Sequence, residues 1–388
     1  GFSCADGNWA YDSSFPAHLL PESWIGATIS DAKVGVTLQD VRIDAQNAPE
    51  DGTGRSSFGM AIIRSQNIAL KRVEIRAGKG AMGAKGADGA TGVDGLASTD
   101  MQNGKAGSCA SPPNTRVGAQ AVPKICTSEG GAGGDAHLSA TYDSTQDGRP
   151  GYAIILPNGG KGGTVSGKAG GAGLPGDDGA RGEMGTNAPA LGTFSETGYE
   201  VASGGSGAAG KPGQGGGGGG ASLGTATCIG ATGGAGGMGG CGGDPGSGGT
   251  GGGASVALLS WQSKVSLDSC TLTAATGGAG GDGGKAHAGG AGKPGGAGGM
   301  GDGVNLGSGG IGGNGGFGGA GGNGAGGSGG PSIALVYDGT PPTQLGTPIL
   351  NFASTPAAAG KGGTLGPSDS FPGLDGSKGL TQDIYPKP

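Results

Sequence analysis

The sequence predicts an all-β chain combined with polyglycine II: a small parallel β-helix (β-solenoid) whose coils carry long glycine-rich excursions packed as polyglycine II helix bundles. Three observations predict it. Gly recurs at every third residue in separate blocks. A ten-residue apolar pattern recurs between those blocks. Aromatic residues make up only 4% and charged residues 13%, which fits neither a conventional globular core nor a self-repelling disordered chain.

The ten-residue pattern justifies the coils. Val36-Thr-Leu38-Gln-Asp-Val41-Arg-Ile43-Asp-Ala45 aligns with Ile68-Ala-Leu70-Lys-Arg-Val73-Glu-Ile75-Arg-Ala77 and with Val265-Ser-Leu267-Asp-Ser-Cys270-Thr-Leu272-Thr-Ala274. Its alternation is that of two short half-buried strands joined at a two-residue corner. A preceding element reads Met60-Ala61-Ile62-Ile63 and Val256-Ala257-Leu258-Leu259, with further copies at Tyr152-Ala153-Ile154-Ile155 and Ile333-Ala334-Leu335-Val336. Strand pairs repeating with a shared corner stack as solenoid coils, each burying a face on its neighbour. The expected organisation is one continuous unit: residues 1–55 as N-terminal segment and first coil, 56–330 as coils with glycine excursions, and 331–388 as last coil and tail.

The glycine blocks justify the excursions. Of 388 residues, 104 are Gly. One block runs Gly80, Gly83, Gly86, Gly89, Gly92, Gly95; another runs from Gly167 to Gly185; the longest runs from Gly309 to Gly330. Period three is that of a left-handed extended helix with no internal hydrogen bonds, so its backbone groups must pair with neighbours. One Gly per turn bares one edge of such a helix, and the GGx blocks bare two. The blocks shift phase and are too short for a collagen triple helix, and their strict phase separates them from flexible linkers. Antiparallel helices folded back within one chain are therefore expected.

No cofactor, catalytic residue or metal site is expected. His18, His137 and His287 lie far apart without ligand spacing. Gly130-Gly131-Ala-Gly133-Gly-Asp135-Ala-His137 resembles a calcium-binding β-roll repeat, but it stands alone with His at the apolar position. Asp177, Asp178 and Glu183 fall in a repeat block, where they keep an exposed edge soluble. The outward coil positions Thr37, Gln39, Lys71, Glu74, Ser266 and Asp268 form no repeated charged cluster, so the chain is not expected to be an enzyme. Trp9, Trp24 and Trp261 are expected to anchor the sparse core.

Six Cys without metal spacing read as disulfides in an oxidising compartment, hence a secreted chain, any export signal of which has been removed or was never part of this sequence. Cys109 and Cys126 bracket SPPNTRVGAQAVPKI, a glycine-poor insertion that breaks the repeat and would fray untied, and Cys228 and Cys241 bracket one hairpin excursion; closing each loop would contribute on the order of 3 kcal/mol. By elimination Cys270 pairs with Cys4; because Cys270 occupies the inward position of Val41 and Val73, the alternative is a free buried thiol acting as a small hydrophobe. A net charge of −6 leaves no basic patch for nucleic acid. No apolar run is long enough for membrane insertion.

Strand pairs of the type SVALLSWQSKVSLDSCTLTAATGGAGGDGG resemble the secreted glycine-rich repeat proteins of myxobacteria and related predatory bacteria, in pattern over roughly residues 25–360. The resemblance implies an extracellular or cell-surface structural role. Layers of polyglycine II also resemble bacteriophage tail-tip adhesins and snow-flea antifreeze proteins, in secondary structure alone. Exposed strand edges at the two solenoid ends favour self-assembly into a filament, with the chain itself as partner. The alternatives are an adhesin whose hairpin tips bind a cell-surface glycan or receptor and, more remotely, an ice-binding protein.

Overall fold

The computed structural model describes residues 2–3, 10–11, 16–97, 99–121, 125–153, 159–366 and 369–386. It is nearly all-β, with strands over 24% of the chain and helix over 2%. Fourteen of its strands form three parallel sheets. The first sheet runs, in spatial order, Ile25–Ser30, Ser57–Ile63, Ser255–Trp261, Ser332–Asp338 and Thr381–Tyr385. The second runs Val36–Gln39, Ile68–Lys71, Val265–Asp268 and Thr343–Leu345. The third runs Ala17–Leu19, Val41–Asp44, Glu74–Arg76, Thr271–Thr273 and Ile349–Asn351. Successive strands visit the first, second and third sheets in turn, so the chain winds a three-faced stack of coils.

The ten-residue pattern forms the second and third faces in the expected register. Val36, Ile68 and Val265 stand side by side, as do Leu38, Leu70 and Leu267, and Ile43, Ile75 and Leu272. Leu70, Leu267, Ile43, Ile75 and Leu272 are fully enclosed in one apolar core. At each corner the second of the two linking residues turns left-handed: Asp40, Arg72 and Ser269 have φ between 49° and 55°. The first-face element is corrected by two residues. Val256 pairs with Phe58 and Leu258 with Met60, whereas Val256 and Ile333 align as expected. A two-residue slip keeps every side chain on its own face, which is why the pattern matched in either register. Tyr152–Ala153 is not a coil strand: it pairs antiparallel with Ser128–Glu129. Ile154 and Ile155 lie outside the described residues.

A buried serine clasp closes each coil where the chain leaves it. Ser57 Oγ donates to Gln46 O (2.9 Å) and accepts from Gly78 N (2.9 Å). Ser255 Oγ donates to Gly78 O (2.7 Å) and accepts from Ala275 N (2.9 Å). Ser332 Oγ donates to Ala275 O (2.7 Å) and accepts from Ala353 N (2.9 Å). These bonds satisfy backbone groups that would otherwise be buried unpaired as the chain departs. The outer side of the first sheet is also covered, by the hairpin of Thr193–Ser195 and Gly198–Glu200 with Phe194 packed on it. Burial on both faces explains why its three central strands, Ser57–Ile63, Ser255–Trp261 and Ser332–Asp338, read as near-continuous apolar runs.

Every long excursion leaves after a third-face strand and returns to a first-face strand. Residues 77–254 depart between the second and third full coils, 274–331 between the third and fourth, and 352–380 before the last strand. The excursions fold back on one another, joined by backbone hydrogen bonds at every third residue. Gly86, Gly89, Gly92 and Gly95 donate to the carbonyls of Asp282, Lys285, Ala288 and Ala291. Gly234, Gly237, Gly240 and Gly243 donate to Gly310, Gly313, Gly316 and Gly319. Those two pairings run parallel, whereas 204–219 runs antiparallel to 234–249, so neighbours go both ways rather than only antiparallel. The reason is topological: three excursions leave one corner in the same direction and share a single bundle.

Glycine multiplicity follows the number of neighbours. The one-in-three segment 80–95 lies at the margin with exposed intervening residues. The GGx segment 309–327 donates from Gly309, Gly312 and Gly315 to one neighbour and from Gly310 and Gly313 to another. Gly215–Gly220 lies enclosed among several segments. A Cβ on Gly216 would stand 2.1 Å from Gly313 O, and one on Gly217 2.0 Å from Lys161 O.

Candidate functional site

Where the segments meet decides which cysteines meet. The disulfides are Cys109–Cys228 and Cys126–Cys241, with Cα–Cα distances of 4.1 and 5.4 Å, and not the pairs Cys109–Cys126 and Cys228–Cys241. The physical reason is backbone adjacency. Ser108 and Ile229 exchange N–H···O bonds of 3.1 and 3.0 Å, placing Cys109 against Cys228 across 119 residues of sequence. Each bridge thus staples two distant segments of the 77–254 excursion together instead of closing a short loop between cysteines neighbouring in sequence. Cys270 is a free, buried thiol in the Val73 environment, its Sγ donating to Leu70 O (3.2 Å), and burial pushes its pKa up. Its expected partner Cys4 lies outside the described residues, as does Trp9. Trp24 stacks under the Arg55 guanidinium at 5.4 Å, and Trp261 packs on the outer first-sheet cluster.

The third face carries a charged cluster that the sequence reading missed. Asp44 accepts from His18 Nε2 (2.7 Å) and Arg42 (2.7 Å) and lies 3.9 Å from Arg76. Glu74 pairs with Arg76 and lies 3.8 Å from Arg42. The signal was present as charge at equivalent positions of successive copies, Arg42 beside Glu74 and Asp44 beside Arg76. Burial pushes the Asp44 carboxyl upward, but hydrogen bonds from Arg42 and His18 outweigh it and hold the group below its ordinary range. A carboxylate so held is a poor proton donor. Gln39 and Lys71 lie side by side on the second face, and Thr37 and Ser266 flank Ala69 there.

The three histidines stay apart: His137 meets Thr145 (2.7 Å) and His287 meets Thr91 (3.2 Å). Asp135 accepts from Gly118 N (2.7 Å), and no group of metal-ligating side chains occurs among the described residues. Asp178 accepts from Phe317 N (2.7 Å), tying two glycine segments together while remaining exposed.

Two surfaces stand out for exposed apolar residues. At the bundle end remote from the coils, Gly107 N donates to Met300 O and Gln120 N to Met101 O, gathering the tips of three turns. Met300 and Val304 are 76% and 79% exposed there, with Met101 and Val117 nearby on a groove that also presents Asn103, Lys105 and Gln120. Asp302 shapes the turn by accepting from the N–H groups of Val304, Asn305 and Leu306, which lowers its pKa. The second surface is the pair of stack ends. Leu19, Leu20 and Ile25 are exposed at one end, and Leu345, Ile349 and Phe352 at the other.

No family model, curated protein or solved structure matches the chain. Two disulfides fit an oxidising, extracellular environment. Among the described residues no helix is long and apolar enough to cross a membrane.

Proposed function

We propose that this chain is an extracellular structural protein, a scaffold or self-assembling subunit at the cell surface without catalytic activity. In this reading the coil stack is a β-solenoid, the excursions are polyglycine II helices, and the kinship is with the secreted glycine-rich repeat proteins of predatory bacteria. One observation carries it: the glycine segments are bonded to one another through their backbones and stapled by two disulfides, while among the described residues both ends of the coil stack present strand edges without a partner strand and exposed apolar side chains. Unpaired parallel edges template further pairing. The charged third-face cluster supports the non-catalytic reading, because its carboxylates are engaged by guanidinium groups. Negative-stain microscopy of the concentrated protein tests the assignment. Filaments or sheets are expected; monodisperse particles at high concentration would contradict it.

A second reading, an adhesin, is favoured by the exposed Met101, Val117, Met300 and Val304 at the stapled far end of the bundle. Its test is binding to cells or a glycan array, lost in a Met300→Ser/Val304→Ser variant that assembles normally.

A further inference from the structure

We propose that the two ends of the coil stack are complementary half-coils through which copies of this chain join head to tail, an inference that rests on the self-assembling reading and names its contact. At one end the third sheet runs one strand beyond the other two, through Ala17–Leu19. At the opposite end it is the first sheet that runs one strand beyond, through Thr381–Tyr385. The two surplus strands belong to different faces. Brought into one layer they occupy different faces, and each meets on the next copy a strand edge that has no partner strand among the described residues. Ile349–Asn351 then pairs with the next copy's Ala17–Leu19, and Thr381–Tyr385 with its Ile25–Ser30. All existing neighbours in these sheets are parallel, so the joint preserves strand direction.

The core side chains continue through such a joint on the same two faces. On the third face the enclosed column is Leu19, Ile43, Ile75, Leu272 and Leu350. Leu350 packs against the core cluster, whereas Leu19 is 50% exposed at its end of the column. On the first face the column Ala27, Met60, Leu258, Leu335 and Ile384 is apolar throughout. On the second face the column Leu38, Leu70, Leu267 closes with Gln344, a polar residue at an inward register position. The second face is the one face with no surplus strand at either end. The apolar columns therefore run out to the ends on the two faces that the joint uses, and stop on the face it leaves open. A joint of unlike ends is heterologous, and one that continues the stack along its own axis does not close into a ring, so its product is a filament.

The outward third-face column supplies the test: it reads His18, Arg42, Glu74, Thr271, Ile349, and the joint sets Ile349 beside the next copy's His18. Neighbouring strands lie about 4.8 Å apart, within the Cα range of a disulfide. The full chain carrying His18→Cys and Ile349→Cys, mildly oxidised, is expected to give a ladder of covalent multimers on a non-reducing gel. Neither single variant should do so. Leu19→Lys, at a half-exposed position that the single chain tolerates, is expected to abolish filaments while the far-ultraviolet circular dichroism spectrum stays unchanged. Filaments that give no ladder and survive Leu19→Lys would overturn this contact and leave the self-assembling reading standing. Absence of filaments from the unsubstituted chain, with no ladder from the double variant, would overturn both.

Discussion

In the coil stack, Leu70, Leu267 and Leu272 fill an interior that opens a void if carbon is removed. In the glycine bundle, Gly216, Gly236 and Gly318 mark positions where carbon cannot be added: a Cβ there would meet a neighbouring carbonyl oxygen at 2.1, 1.9 and 1.9 Å. The stack is held by apolar burial, and its side chains choose the neighbours. The bundle is held by backbone hydrogen bonds, and missing side chains permit the neighbours. Ordering each glycine costs about 0.5–1 kcal/mol relative to alanine. Each inter-segment bond returns about 0.5–1.5 kcal/mol. Margins so narrow fit the placement of both disulfides in the bundle, away from the apolar core of the coils.

The largest expected effect sharpens that contrast. The bridges span 119 and 115 residues of sequence, and in the chain-entropy account each such loop contributes roughly 4–5 kcal/mol. Reduction should lower the thermal midpoint strongly, and amide exchange should show the loss at residues 100–147 and 220–232 before the coils. Next come two opposite substitutions of comparable size. Leu267→Ala is expected to cost about 2–5 kcal/mol by leaving a cavity. Gly318→Ala is expected to cost on the order of 3 kcal/mol by overpacking. Denaturant titration of both should find Phe317→Ala, beside Gly318 but exposed, nearly neutral. If Gly318→Ala were silent, the bundle would not be close-packed.

Smaller again is the clasp that joins the two regions. Ser255→Ala leaves Ala275 N–H and Gly78 C=O without their shared partner and should cost about 1–3 kcal/mol, read by the same titration.

The smallest effect is that of acid. Asp369 is nearly enclosed; burial pushes its carboxyl up, but hydrogen bonds from Leu365 N, Phe371 N, Arg181 and Asn323 outweigh this and hold it well below the usual carboxylate range. With the folded pKa below the unfolded value near ~3.9, the folded state binds fewer protons. The contribution is present above about pH 4 and is lost as pH falls below it. Asp369→Asn should flatten that loss and speed amide exchange in residues 360–380.

The coils were legible because side-chain periodicity carries register. Three copies of one ten-residue pattern align correctly, and the two-residue error on the first face arose where Phe58-Gly-Met60 and Met60-Ala-Ile62 both satisfy the alternation. Ser57, Ser255 and Ser332 stand at one position of that element, a signal for the clasp that was available and unread. The disulfides were not legible. A segment such as Gly234–Gly243 could lie beside any other of its kind, so nothing in the glycines told Cys241 that its neighbour would be Cys126. The charged third face was hidden for a different reason: Arg42 and Asp44 alternate with Val41 and Ile43, and outward charge on a strand ordinarily means a solvated face.

Residue-resolved amide hydrogen exchange across 85–95 and 309–327 tests the central claim, that glycine phase reports backbone neighbours. The account expects period-three protection at Gly86, Gly89, Gly92 and Gly95 with fast exchange between them, and two protected phases, represented by Gly312 and Gly313, with Ile311 and Asn314 fast. Uniformly fast exchange through both stretches would contradict it.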